Sequence, residues 1–97
     1  MSAMPDDLLT PPRRSTALVP GHVARMVEKA RGFPADIVVL DLEDSVPYAD
    51  VEKRAARQAV TAALAAGGFA AREVSVRVNG PRTPWFADDV AAVLGAD

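Results

Sequence analysis

The 97-residue sequence contains no cysteine, and its aromatic residues make up only 5% of the chain. The absence of cysteine excludes disulfide bonds and thiolate chemistry. No apolar run approaches the roughly 20 residues that a helix needs to cross a bilayer, so no membrane-spanning helix is expected in this sequence. Acidic and basic residues are mixed and give a net charge of −2, so no nucleic-acid or membrane partner is expected.

The composition that remains is that of one small globular domain, with 49% hydrophobic and 25% charged residues. Residues 1–13 are acidic and rich in proline, which predicts a flexible leader and not a signal peptide. The folded domain is therefore expected to cover residues 14–97, and a cytoplasmic location is the default expectation.

Strand and helix patterns alternate along this domain, which predicts an α/β fold. Three strands are expected near residues 15–19, 36–42 and 73–79, each followed by a helix. The continuous apolar run of residues 37–40 is typical of a strand buried on both faces of a parallel sheet. Three consecutive βα units match part of a (β/α)8 TIM barrel, but closure takes eight units and about 250 residues. We therefore expect an incomplete barrel, the first part of something larger.

Periodicity predicts which side of each helix is buried. The first helix is expected from His22 to Arg31 and the second from a cap at Asp50, while the third opens at Thr83-Pro84. The buried positions are predicted to be Val23, Met26, Val27 and Ala30 in the first helix, Val51, Ala55, Ala59, Val60, Ala63 and Leu64 in the second, and Phe86, Val90 and Leu94 in the third. The solvated side of the second helix is predicted to carry Glu52, Lys53, Arg54, Arg57 and Gln58.

Arg77 is the first candidate site residue. Strand alternation places Val74, Val76 and Val78 on one face of the third strand, and Ser75, Arg77 and Asn79 on the other. Arg77 then lies near the strand's C-terminal end, where barrels bind substrates. A guanidinium there can hold a carboxylate or phosphate through two parallel hydrogen bonds. A solvated or salt-bridged surface arginine fits the segment equally well.

Asp41, Glu43 and Asp44 form a second candidate cluster, at the end of the second strand. If the neighbouring leucines face the helices, Asp41 and Glu43 face the barrel interior beside Arg77, with Asp44 at the rim. Such carboxylates are costly to bury unless they are paired or solvated. They could support a divalent cation, which takes oxygen ligands, or serve loop structure and pair with arginine. The loop role is favoured for Asp44, and both roles stay open for Asp41 and Glu43.

Three further positions give weaker signals. His22, at a helix start, could meet a phosphate, although a plain loop residue is favoured. Trp85 could form the wall of a substrate cleft, although packing under the sheet is favoured. Arg13-Arg14 is compatible with a basic rim for phosphates and equally with solubility of the leader.

Several segments together resemble the citrate lyase beta-subunit family, which includes the malyl-CoA lyases and belongs to the HpcH/HpaI aldolase superfamily. The resemblance runs from residue 14 to residue 94. Its most specific part is Leu-Asp-Leu-Glu-Asp-Ser-Val followed by Arg-Val-Asn-Gly, in that order. The matching segments are residues 14–21, 26–30, 35–46 and 76–80, with Thr83-Pro84-Trp85. By this resemblance, residues 14–97 are the N-terminal part of a TIM-barrel domain.

The resemblance implies a Mg²⁺-dependent lyase. Such enzymes cleave or form a carbon–carbon bond in an acyl-CoA hydroxy acid of the citryl-CoA or malyl-CoA type, through an enolate. A homo-oligomer is implied for the full-length parent. The alternative is a truncated or stand-alone α/β module with a binding or structural role and no catalysis.

The resemblance also assigns residues. Arg77 matches the arginine that binds the substrate carboxylate or carbonyl, and Lys29 matches a lysine that contacts CoA. Leu18 or Val19 matches an apolar substrate position. The acidic cluster near the metal consists of Asp41, Glu43 and Asp44. Of these, Glu43 and Asp44 match family residues that line the metal site without being its main ligands.

Two departures from the family pattern lower the activity expected of this chain. Val23 stands where malyl-CoA lyases carry an arginine for the CoA phosphates, a task that would shift to Arg25 and Lys29. The family's direct metal ligands lie beyond Asp97, so no metal ligand is expected in this chain. The 97 residues alone are therefore expected to be inactive.

Overall fold

The protein is described here by a computed structural model that covers residues 15–95. The predicted leader and Arg13-Arg14 lie outside these described residues. The elements are β1 (Thr16–Pro20), α1 (Ala24–Ala30), β2 (Ile37–Asp41), α2 (Asp50–Ala66), β3 (Glu73–Arg77) and α3 (Phe86–Gly95). Every predicted strand and helix is present; β1 is shifted by one residue from its predicted position, and β2 and β3 are each two residues shorter than predicted.

The three strands form one parallel sheet in the order β1-β2-β3. This confirms the prediction of an α/β fold with consecutive βα units. The apolar β2 is at the centre, but it is not fully buried on both faces as predicted, because Ile37 and Val39 are half-buried. Three strands do not test closure, so the barrel stays a prediction. The register aligns Pro20 with Asp41 and Asp41 with Arg77, which brings the C-terminal ends of all three strands into one row.

The helices cover one face of this sheet and build the core there. Val38 and Leu40 of β2 are fully buried, in one cluster with Val27 of α1 and Val60 of α2. Full burial of each such side chain stabilises the fold by about 1.5–3 kcal/mol. The opposite face is only partly covered within residues 15–95, and Leu18 on it is 51% exposed.

Val60 and Ala63 are buried as predicted, but the rest of the buried side of α2 differs from the prediction. Val51 is 70% exposed, whereas the predicted solvated Lys53 is 1% exposed. The stripe that faces the core consists of Lys53, Ala56, Val60 and Ala63. The prediction failed because it treated lysine as a solvent residue, whereas Lys53 finds carbonyl oxygens inside the fold.

The other two helices also depart from prediction. In α1, Val27 and Ala30 are buried as predicted, but Met26 is exposed. In α3, Phe86 and Val90 are half-buried and Leu94 is 68% exposed. Within the described residues α3 packs chiefly against α2, which leaves Leu94 without cover.

The starts of the second and third helices differ too. Asp50, the predicted cap of α2, is its first helical residue, and Ala49 takes the cap position. The third helix begins at Phe86, after a turn over Thr83-Pro84. Among residues 15–95, no helix is long and apolar enough to cross a membrane.

Gly21, which follows β1, permits a close approach to the end of β2. Its N–H donates to the carbonyl of Asp41 at 2.8 Å, and an added Cβ would lie 2.6 Å from that oxygen. Gly21→Ala is expected to destabilise the chain by about 1–3 kcal/mol, because a backbone must shift. Urea unfolding measures this change.

Gly32→Ala is the matched control for this prediction. The nearest atom to its added Cβ is 3.9 Å away, and Gly32 does not require a positive φ. This substitution is expected to be neutral or slightly stabilising, by up to about 1 kcal/mol. Equal unfolding midpoints for the two variants would contradict the close approach at Gly21.

Candidate functional site

Arg77 and Asp41 form the centre of the candidate site. They are the last residues of β3 and β2 and lie opposite each other in the sheet register. Arg77 Nε donates to Asp41 Oδ1 at 2.9 Å, and Nη2 donates to Oδ2 at 2.8 Å. Two parallel hydrogen bonds of this kind fix the plane of the guanidinium as well as its position.

The carboxylate of Asp41 is saturated with donors. Besides Arg77, the amide of Glu43 donates to Oδ1 at 2.8 Å, and the amide of Ser45 donates to Oδ2 at 2.9 Å. The Ser45 hydroxyl also donates to Oδ2. Burial opposes ionisation, but these hydrogen bonds, led by that of Arg77, hold the pKa of Asp41 well below its usual range. Asp41 therefore acts as a permanent anion that orients Arg77.

Glu43 and Asp44 flank the same guanidinium. Glu43 Oε1 lies 3.5 Å from Arg77 Nε, and Asp44 Oδ2 lies 3.7 Å from Nη1. Glu43 is half-buried, whereas the Asp44 side chain is 78% exposed at the rim. The hydrogen bond to Asp41 raises the pKa of Arg77 further above its usual value. Burial opposes this effect, and attraction to the carboxylates of Asp41, Asp44 and Glu43 adds to it. The predicted convergence of Arg77, Asp41 and Glu43 at this sheet edge is confirmed, while their roles stay predictions.

The geometry also limits how Arg77 can hold a ligand. Its Nε and Nη2 side is used by Asp41 of the same chain. At the other edge, formed by Nη1 and the second N–H of Nη2, Asp44 Oδ2 lies 3.7 Å from Nη1, and the Arg77 side chain is 37% exposed. An anionic ligand would therefore meet the outer edge of the guanidinium, in the plane that Asp41 fixes.

The described residues do not by themselves fit a Mg²⁺ site. Among residues 15–95, no three histidine, aspartate or glutamate side chains are grouped to hold a metal ion. Asp41 has no acceptor position left, and Glu43 and Asp44 both lie against a guanidinium. Mg²⁺ requires near-octahedral oxygen coordination, which these two carboxylates can support only in part.

The two CoA and substrate candidates outside the cluster have different surroundings. Leu18 is exposed on the open face of the sheet, the face of Arg77, whereas Val19 is buried in the core at 1% exposure. Lys29 is exposed in the last turn of α1. Because α1 returns the chain to the start of β2, Lys29 lies away from the edge that carries Arg77. Of Leu18 and Val19, Leu18 is therefore the one that a ligand can reach. The roles of Leu18 and Lys29 stay predictions.

A second buried ionic group went unrecognised in the sequence. Asp89 of α3 is fully buried and accepts from Arg57 Nε at 3.0 Å, from the amide of Asn79 at 3.0 Å and from Asn79 Nδ2 at 2.6 Å. The strand ends at Arg77, so alternation does not extend to Asn79, which turns to the helix layer instead of sharing the face of Arg77. The signal for this buried group in the sequence was the position of Asp89, a charged residue directly before Val90, which was predicted to be buried.

Trp85 does not pack under the sheet, contrary to the favoured prediction. Its ring meets Tyr48 edge to face, with centroids 4.6 Å apart, and its Nε1 donates to Asp50 at 2.7 Å. It thus joins the loop after β3 to the start of α2. His22 is half-buried, and its Nδ1 has no hydrogen-bond partner among the described residues. The structure assigns His22 no role.

Comparison with known proteins gives one family and several relatives. Residues 14–97 match the family described as HpcH/HpaI aldolase/citrate lyase. A (3S)-malyl-CoA thioesterase of Cereibacter sphaeroides is 44% identical over 88% of this chain and 29% of its own length. The citrate lyase subunit beta of Leuconostoc mesenteroides subsp. cremoris is 40% identical over 87% of this chain and 27% of its own.

A third relative extends the range of named activities. The L-malyl-CoA/beta-methylmalyl-CoA lyase of Cereibacter sphaeroides is 36% identical over 86% of this chain and 26% of its own length. The chain thus spans less than a third of the length of each of these three curated relatives.

Proposed function

The chain belongs to the HpcH/HpaI aldolase/citrate lyase family, and we propose that it supplies one part of the active site of an acyl-CoA carbon–carbon lyase. One observation carries the proposal. Arg77 stands at the C-terminal edge of parallel strands, its plane is fixed by a buried aspartate, and its outer edge is partly exposed beside the rim residue Asp44. In this proposal that edge binds the carboxylate or the carbonyl oxygen of the substrate.

The names of the relatives support an anionic CoA ester as substrate. Two of the three are named for malyl-CoA, which carries a free carboxylate that a guanidinium edge can bind through two hydrogen bonds. The names divide between lyase and thioesterase, so the bond that breaks, carbon–carbon or thioester, separates two versions of the proposal. We favour the lyase, in which an enolate forms and needs electrostatic stabilisation.

Several parts of the proposal concern residues outside this segment. We propose Mg²⁺ as the cofactor, held by carboxylates outside residues 15–95, with Glu43 and Asp44 in supporting positions. When bound, such an ion would polarise a carbonyl group and stabilise negative charge. We also propose that the sheet continues into a (β/α)8 barrel, in a cytoplasmic homo-oligomer. Within this segment, Asp41 orients Arg77, and Leu18 and Lys29 are proposed to contact the substrate and CoA.

The test uses the 97-residue chain and a chimera. In the chimera, residues 14–97 replace the matching segment of the (3S)-malyl-CoA thioesterase that is 44% identical to this chain. Both are assayed with Mg²⁺ for cleavage and for hydrolysis of malyl-CoA and citryl-CoA. We expect turnover in the chimera and none in the 97-residue chain, because the described residues lack a group that could hold a metal.

The reaction products show whether the carbon–carbon bond or the thioester bond is broken. Acetyl-CoA and a keto acid indicate carbon–carbon cleavage, and free CoA with the hydroxy acid indicates hydrolysis. A folded chimera without either activity would contradict the proposal and favour the alternative, a module with a binding or structural role. Robust turnover by the 97-residue chain would contradict the need for further segments.

A further inference from the structure

Lys53 is buried, and a buried ammonium group is costly unless it finds partners inside the fold. It lies on the inner side of α2 with 1% exposure, and three carbonyl oxygens accept from its Nζ. The distances are 3.0 Å to Leu42, 2.8 Å to Glu43 and 3.2 Å to Val46. An ammonium group has three donors, so its hydrogen-bonding capacity is filled. Burial lowers the pKa of Lys53, and attraction to nearby carboxylates, Asp41 foremost, opposes that effect.

The three carbonyls belong to the segment that carries the acidic cluster. Residues 42–49 join β2 to α2 and include Glu43 and Asp44. The amides of Glu43 and Ser45 in this segment donate to Asp41, which holds Arg77. The segment is therefore held from two sides, with its carbonyls on Lys53 and its amides on Asp41.

Two aromatic rings lie close to the ammonium group of Lys53. Lys53 Nζ lies 5.0 Å from the ring centroid of Tyr48 and 5.2 Å from that of Trp85, and such contacts with a cation are attractive. Because Trp85 follows β3 and Tyr48 lies in the segment 42–49, the ammonium contacts both loops at the edge of the sheet that carries Arg77.

We propose that Lys53 is a positioning residue, whose ammonium group fixes residues 42–49 so that Glu43 and Asp44 stand against Arg77. Lys53 does not contact the outer edge of Arg77 and has no donor left for a ligand. The effect of Lys53 on turnover rests on the proposed function, whereas its effect on residues 42–49 does not. The two parts can therefore be tested separately.

The first test measures amide hydrogen exchange in the ¹⁵N-labelled 97-residue chain. Lys53→Met keeps an unbranched side chain and removes the ammonium. We expect exchange at the amides of Glu43 and Ser45 to rise at least about tenfold relative to the amides of β2, since exchange reports local opening. Val60→Ala, a core truncation on the same helix, is the matched control and should raise exchange at all these sites together.

A milder variant covers the case in which Lys53→Met does not fold. Tyr48 is 71% exposed, so Tyr48→Ala removes one ring from the ammonium with little loss of core packing. It should raise exchange at the same two amides by a smaller factor, roughly two- to fivefold, because the local free energy of opening falls. A uniform rise in either variant, equal to that of Val60→Ala, would overturn the proposal and leave Lys53 a core residue only.

The second test uses the chimera with the (3S)-malyl-CoA thioesterase, called the malyl-CoA chimera below. There Lys53→Met is expected to lower kcat more than it changes KM, because Arg77 remains while its acidic neighbours move. Val60→Ala, compared at a temperature where both variants are folded, should leave kcat near that of the unchanged chimera. An inactive unchanged chimera would overturn the proposed function while leaving the exchange result on Lys53 intact. Equal kcat in Lys53→Met and Val60→Ala would overturn the role of Lys53 in turnover.

Discussion

Arg77→Lys in the malyl-CoA chimera is expected to lower kcat/KM by about 10²–10³-fold, the loss seen when a preorganised donor is removed from a reacting oxygen. The structure gives the reason. Arg77 uses one edge to meet Asp41 in two hydrogen bonds, and its other edge is partly exposed beside Asp44. A lysine is a point charge without two edges, so it cannot hold Asp41 and present a planar pair of donors to the substrate. Steady-state kinetics with malyl-CoA measure the loss.

Arg72→Lys is the control for this substitution. Arg72 precedes β3, at the opposite end of the strand from Arg77, and is exposed. It should change kcat/KM little, and urea unfolding of both variants shows whether a loss of activity is a loss of folding. Rates in folded Arg77→Lys that equal those of the unchanged chimera would refute the role proposed for Arg77.

Asp89→Ala is expected to have the largest effect on stability, about 3–5 kcal/mol, the cost of breaking a buried ion pair by removing one partner. Asp89 is fully buried, and the substitution leaves Arg57 Nε and two N–H groups of Asn79 without their acceptor. Native domains have only about 5–15 kcal/mol of stability in total, so the substitution is expected to remove a large share of it. Urea unfolding of the 97-residue chain, followed by circular dichroism, measures the change.

Asp88→Ala is the matched control, because Asp88 lies in the same first turn of α3 and is exposed. Its loss removes a favourable interaction with the helix dipole, which is worth about 0.3–1 kcal/mol. If Asp89→Ala cost no more than Asp88→Ala, the buried hydrogen bonds of Asp89 would have no net value. A variant with both Arg57→Leu and Asp89→Leu is expected to recover part of the loss, since neither charge is then left unpaired.

The sheet could be predicted from the sequence because its signals are local. An apolar run such as residues 37–40 has few alternatives to a central parallel strand, and the parallel order confirms it. The convergence of Asp41 and Arg77 could be predicted as well, because side-chain alternation and strand order together put both residues on one edge. The function was predicted from the resemblance to a family. Comparison with known proteins shows that family, while metal dependence and mechanism stay proposals.

The residues that hold the site in place could not be predicted. Lys53 was predicted to be solvated and Asp89 was not recognised, because the free energy of burying a charge is unfavourable until its partners are known. Those partners are the carbonyls of Leu42, Glu43 and Val46 for Lys53, and Arg57 and Asn79 for Asp89. The partners of Asp89 lie on a different helix and beyond the end of β3, which no local pattern brings together.

The sequence by itself thus determined the order of strands and helices, the parallel sheet and the edge at which the charged residues meet, since these follow from alternation and apolar runs along the chain. The tertiary structure decided which edge of Arg77 is open, that Asp41 is saturated, and that α2 turns Lys53 inward. These outcomes depend on distances between groups far apart in sequence, where a few tenths of an ångström separate a hydrogen bond from a mere contact.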